Sequence, residues 1–149
     1  MAYRNGTEIT IKSTTGSDNV KLNQDSTYMF ANNGTNANFA ALANVGGTNT
    51  LRADENTIAS YMFNGNNVIT GLIYIPEGVI DLSRAFSGCS ALTTPPVLPD
   101  GLVNLNTAFS SCTGLVELPD IPNTVTNLYY TFHGCTKATK APSIPAMVS

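Results

Sequence analysis

Cys89, Cys112 and Cys135 are spaced 23 residues apart, and they are the only cysteines in the chain. An odd number of thiols at an equal, long interval suits neither a disulfide framework nor a Cys-x-x-Cys metal site; it is the signature of an internal repeat. Set in register, the units read DLSRAFSGCSALTTPPVLPDGLV (81–103), NLNTAFSSCTGLVELPDIPNTVT (104–126) and NLYYTFHGCTKATKAPSIPAMVS (127–149). Phe86, Phe109 and Phe132 share one place, and Leu82, Leu105 and Leu128 another. Pro96, Pro119 and Pro142 also align, as do Pro99, Pro122 and Pro145. A degenerate unit, IASYMFNGNNVITGLIYIPEGVI (58–80), precedes them, with Phe63 in the Phe place, Asn66 in the Cys place and Ile69 in the Leu place. A unit this short cannot bury its own apolar face, so the units must stack.

Within a unit, Leu82, Phe86, Cys89 and Leu92 fall at i, i+4, i+7 and i+10, the face of a helix of about two turns. Asp81, Asn104 and Asn127 stand where a side-chain oxygen caps the first free amides. Gly88 and Gly134 stand where a left-handed residue ends the run. A short extended segment and a Pro-containing turn complete the unit. Prolines inside the extended part restrict it to strands of about two to four residues or to an irregularly bonded spine. The expected fold is therefore an α/β solenoid over 56–149, of about four 23-residue coils with a short helix and a short strand each.

Residues 1–55 read as a β-rich N-terminal cap or docking region. Thr7 to Lys12 alternates like a strand, with Val20-Lys21-Leu22 as its expected partner, and Phe39 to Ala43 reads as a helical turn. Tyr28-Met29-Phe30 echoes Tyr61-Met62-Phe63 at a distance of 33 residues, as a divergent unit with an insertion would. All eight prolines lie at or after residue 76, so the two regions differ in backbone character.

The repeats resemble the BspA-like leucine-rich repeats, whose pattern is roughly A-F-x-G-C-x-x-L, a strand, then L-P-x-x-V. Ala85-Phe86-Ser87-Gly88-Cys89-Ser90-Ala91-Leu92 fits that pattern, Thr131-Phe132-His133-Gly134-Cys135 fits with one change, and Tyr61-Met62-Phe63-Asn64-Gly65 looks like a Met-Phe variant. The resemblance covers 56–149. It implies a leucine-rich-repeat-like solenoid used for surface adhesion or recognition, as in bacterial surface proteins and some phage virion proteins, and it implies no catalytic residue.

Charge and motifs narrow the function further. The net charge is −3 and only 11% of residues are charged, against a usual share of about 25%. Without clustered cations there is no footprint for nucleic acid. The longest nearly apolar run, Val68–Ile75, is too short to span a membrane. The first residues lead into polar sequence and hold no apolar secretory core. The expectation is synthesis in the cytosol and action outside the cell or on a virion surface. His133, the one histidine, stands in the place of Asn64, Ser87 and Ser110, and no nucleophile, metal or phosphate-loop motif accompanies it. The thiols lie on the face that carries Phe and Leu, so they read as a buried ladder. No enzyme, cofactor or metal is expected.

What remains are the outward rows. One runs Thr70, Thr93, Val116, Thr139; the next Gly71, Thr94, Glu117, Lys140; the third Tyr74, Val97, Asp120, Ser143. In the last unit Tyr129 and Tyr130 replace Asn106 and Thr107; they serve either as contact side chains or as a cover for the neighbouring coil. The candidate partner-binding residues are Tyr74, Thr93, Val97, Glu117, Asp120, Tyr129, Tyr130 and Lys140. No polar closing segment follows Ile144, Met147 and Val148, which form a candidate assembly face. The expected function is a non-enzymatic recognition or adhesion module of a phage-type virion or cell-surface appendage, binding a protein or glycan on a cell surface. The alternative is a structural subunit, a capsid decoration or extracellular filament, that assembles with copies of itself. Either way the chain is expected to be oligomeric or part of a larger assembly.

Overall fold

The structure, a computed structural model, describes residues 2–5, 8–11, 20–21, 51–53, 55–71 and 75–145. Strand β1 (Ala2–Asn5) pairs antiparallel with β2 (Glu8–Ile11). The alternating Thr7–Lys12 segment thus takes its partner from the first residues of the chain and not from Val20. Instead β3 (Val20–Lys21) pairs in parallel with β4 (Leu51–Arg52). A second parallel pair joins β5 (Thr57–Ile58) to β6 (Val79–Asp81). Phe39–Ala43 and Tyr28-Met29-Phe30 lie outside the described residues.

From residue 57 onward the 23-residue units lie one upon the next. Parallel bridges join Asp81 to Asn104 and Asn104 to Asn127, each pair in matched places of consecutive units. The rings of Phe63, Phe86, Phe109 and Phe132 form a column with centroids 5.2, 5.2 and 5.8 Å apart and nearly parallel planes. Leu82 and Leu105 are fully buried beside it, as are Ile69, Leu92 and Leu115. In the last unit Leu128 and Phe132 are only partly buried.

The two helical turns expected at the start of each unit are not formed; among the described residues there is no helix. The chain there makes a ribbon of turns. Alternate amides bond across to the next unit: Leu82, Arg84, Phe86 and Gly88 donate to the carbonyls of Asn104, Asn106, Ala108 and Ser110 at 3.0, 2.9, 2.9 and 2.8 Å. The amides between them close short turns within the unit, as Ala85 to the Leu82 carbonyl and Ser87 to the Arg84 carbonyl. Leu105, Thr107, Phe109 and Ser111 repeat the pattern towards Asn127, Tyr129, Thr131 and His133.

The physical reason is spacing. Helices pack with their axes about 8–10 Å apart, whereas consecutive units here sit at a ring separation of 5.2 Å. One helix per unit does not fit that stack, and the ribbon satisfies the same amides by reaching sideways. It requires left-handed residues at regular places: Tyr61, Arg84, Thr107 and Tyr130 in one row, and Gly65, Gly88, Ser111 and Gly134 in the other. Gly88 and Gly134 are thus left-handed, as expected, but they belong to a ribbon and terminate no helix. The Asx caps are real in kind: Asp81, Asn104 and Asn127 accept from the amides of Ser83, Asn106 and Tyr129 at 2.7, 3.0 and 3.1 Å.

Candidate functional site

On the opposite side of each unit the prolines leave the extended segment poor in donors. Pairing there reduces to an isolated bridge between Glu117 and Lys140, with few cross-unit bonds such as Ile121 to the Ser143 carbonyl at 3.0 Å. Side chains on this face are consequently free to project. The Glu117 and Lys140 side chains meet at 3.9 Å, both well exposed, so the pair marks the register and contributes only ~0–1 kcal/mol.

Around that pair lies an open groove of about 260 Å³ spanning three consecutive units. Its floor and walls are Pro95, Pro96, Leu98, Leu118 and Pro119, with Val97, Glu117, Asp120 and Lys140 at its margins. Val97 is 79% exposed, an aliphatic side chain held out in water. Asp120 is held in place because its Oδ1 accepts from the Ser143 amide at 3.2 Å. Four residues singled out in the sequence for partner contact therefore converge on one site. The proline walls were missed, although their 23-residue alignment was the available signal.

The remaining candidates fall elsewhere. Thr93 is exposed in the adjacent row, its hydroxyl donating to the Thr70 carbonyl at 2.9 Å, and it does not line the groove. Tyr129 and Tyr130 stand exposed on the ribbon side, their ring centroids 4.5 Å apart, with His133 5.2 Å from Tyr130. The two tyrosine rings are tilted at 59° to one another, and the His133 ring is tilted at 53° to that of Tyr130, all within one unit. Tyr74, Met147 and Val148 lie outside the described residues. Ile144 is exposed.

No family model, curated protein or solved structure matches this chain. What the site can do is therefore read from its chemistry.

Two of the three thiols are closed to the outside. Cys89 and Cys112 are fully buried and Cys135 partly so, each donating to the carbonyl of the phenylalanine one unit back: Phe63 at 3.2 Å, Phe86 at 3.0 Å and Phe109 at 3.2 Å. Burial pushes the Cys89 thiol up to about 12 from an ordinary value of 9.0, and raises Cys112 and Cys135 as well. Among the described residues no group of His, Cys, Asp and Glu is placed to hold a metal ion, and no helix is long and apolar enough to cross a membrane.

The groove is smaller than the ~300–1,000 Å³ of a pocket for a whole small molecule. It has room for one amino-acid side chain or one sugar ring of a longer ligand. Its two carboxylates and one ammonium offer hydrogen bonds, and the proline and Val97 surface offers apolar contact.

Proposed function

We propose that residues 56–149 form a leucine-rich-repeat-like solenoid, without the helices of that class, and act as a non-enzymatic recognition module at an extracellular or virion surface. The observation that carries this reading is the groove, where Val97, Glu117, Asp120 and Lys140 from three stacked units line one open depression of about 260 Å³. A concave surface assembled from successive repeats is how such arrays contact partners. The partner class is a protein or glycan presented on a cell surface, bound through one protruding side chain or sugar at a time.

The test is binding of the chain to whole bacterial cells and to immobilised glycans. Val97→Asp and Lys140→Glu change exposed side chains that hold no hydrogen bond to the next unit, so they leave the fold intact, and each is expected to weaken binding by tenfold or more. Binding that is indifferent to both substitutions would remove the groove from the argument. An absence of binding to cells and to glycans would remove the recognition reading itself.

A further inference from the structure

Along the ribbon side one row of left-handed residues runs Tyr61, Arg84, Thr107, Tyr130, one residue per unit. Arg84 is exposed although its unit is interior, so the row faces sideways from the stack and not along it. Its guanidinium lies over the Tyr61 ring, 5.5 Å from the centroid, and has no ion pair among the described residues. Two units on, Tyr130 is exposed, its ring centroid 4.5 Å from that of Tyr129 and 5.2 Å from that of His133. Between Arg84 and Tyr130 stands the short, half-buried Thr107, whose hydroxyl donates to the Asn106 Oδ1 at 2.6 Å. The row is thus a saddle, with a cation held against a ring at one end, an aromatic cluster at the other and hydrogen-bonding side chains between. No Asp or Glu occupies this row or the His133 row in any unit. The carboxylate closest to it in sequence, Asp81, has both oxygens engaged, accepting from the Ser83 amide at 2.7 Å and from the Asn104 Nδ2 at 2.9 Å.

We propose that this row binds an acidic glycan, with the carboxylate of one sugar on Arg84 and the ring of a sugar two residues away against Tyr130. Charge and spacing choose the occupant. The planar guanidinium fork matches a carboxylate through two parallel hydrogen bonds, and no protein carboxylate competes for it in these rows. An exposed tyrosine offers an apolar face beside a polar tip, as a sugar ring with its C–H face and rim of hydroxyls requires. Consecutive units are 5.2–5.8 Å apart at the Phe column, close to the length one pyranose adds to a glycan, so a chain lying along the row meets one unit per sugar. A single-stranded nucleic acid also stacks on aromatic rings, but it needs cations along its whole backbone, and this row supplies one. An Asp or Glu of a protein partner brings the carboxylate without the ring that covers Tyr130. The inference shares the recognition reading but uses a surface other than the groove.

The experiment is titration of the chain with trigalacturonate, sialyl-lactose and the neutral maltotriose, followed through the tyrosine and histidine ring resonances. At least one of the two acidic trisaccharides is expected to bind about tenfold more tightly than maltotriose, the worth of one charge-assisted contact, and which one does so names the source of the acidic sugar. Arg84→Gln is expected to remove that preference, and Tyr130→Asn to weaken all three sugars. Both side chains are exposed, and asparagine tolerates the left-handed backbone at Tyr130, so unchanged denaturant melts verify that the variants are folded. Acidic and neutral sugars bound equally, or none bound at millimolar concentration, would overturn the proposal. So would a preference that survives Arg84→Gln, or an oligothymidylate that binds the same row more tightly than any sugar. Val97→Asp and Lys140→Glu are expected to leave these titrations unchanged; if they abolish binding, the sugar sits in the groove and not on this row. A failure of this test leaves cell binding at the groove untouched.

Discussion

Asn66 shows what one residue does to the ladder. It stands in the cysteine place, and its Oδ1 accepts from the amides of Val68 and Ile69, both at 3.1 Å, while its buried Nδ2 has no partner. The next unit uses the backbone for the same task, Leu92 donating to the Cys89 carbonyl, which frees the thiol to reach Phe63. A thiol suits this place because it is small, apolar and a weak donor that tolerates a carbonyl at 3.0–3.2 Å. The thiols also set a pH limit. Burial raises the folded pKa of Cys89 from 9.0 to about 12, so the neutral form is favoured by folding. The stability this supplies is fully present below pH 9 and is lost as pH rises towards 12, because the unfolded chain ionises first. Denaturant melts between pH 8 and pH 11 should show stability falling above pH 9. Cys89→Ala should remove up to about 1.4 kcal/mol per pH unit of that slope.

At the scale of the element, the unit is a ribbon that depends on left-handed residues. Three of the four units place glycine at the second such position, Gly65, Gly88 and Gly134, but the third places Ser111 there with φ 60°. A side chain in that conformation costs roughly 1–2 kcal/mol, offset in part by the lower entropy of a non-glycine residue in the unfolded chain. Ser111→Gly should therefore stabilise the protein by ~0.5–1 kcal/mol, read as a shift of the denaturation midpoint without a change in slope. The i, i+4, i+7 pattern identified the buried face of this element but misnamed its backbone. Leu82, Phe86, Cys89 and Leu92 are all fully buried as that pattern requires, yet they are carried by turns. Side-chain periodicity reports which residues face inward; it does not report whether an amide bonds within its own unit or to the next.

For the whole molecule, stability should be graded along the stack, since each unit is held only by its neighbours. Amides that bond across a junction are protected and those on the outer face are not. In dilute solution, hydrogen exchange should be slow at Phe86, Gly88 and Phe109, and fast at Leu128, Tyr130, Phe132 and Gly134, although all seven occupy the same ribbon. Equal protection at both sets would mean that the last unit is covered in the monomer. The same grading explains why Phe132 is less buried than Phe109: a column of rings is buried from both sides only in its interior.

The 23-residue period, the aligned Phe, Leu and Cys places, the facing of Glu117 with Lys140 and the outward position of Val97 and Asp120 are all readable from sequence. They follow from one arithmetic fact: equal covalent spacing puts equal places in contact once units stack. The path of the chain inside each unit is not readable in this way. A helix and a turn ribbon bury the same side chains and satisfy the same amides, so local preference does not separate them. The decision belongs to the separation between neighbouring units, 5.2 Å at the Phe column, which is too small for helices side by side. The groove walls are decided at the same level, because they depend on which proline a unit sets against the next.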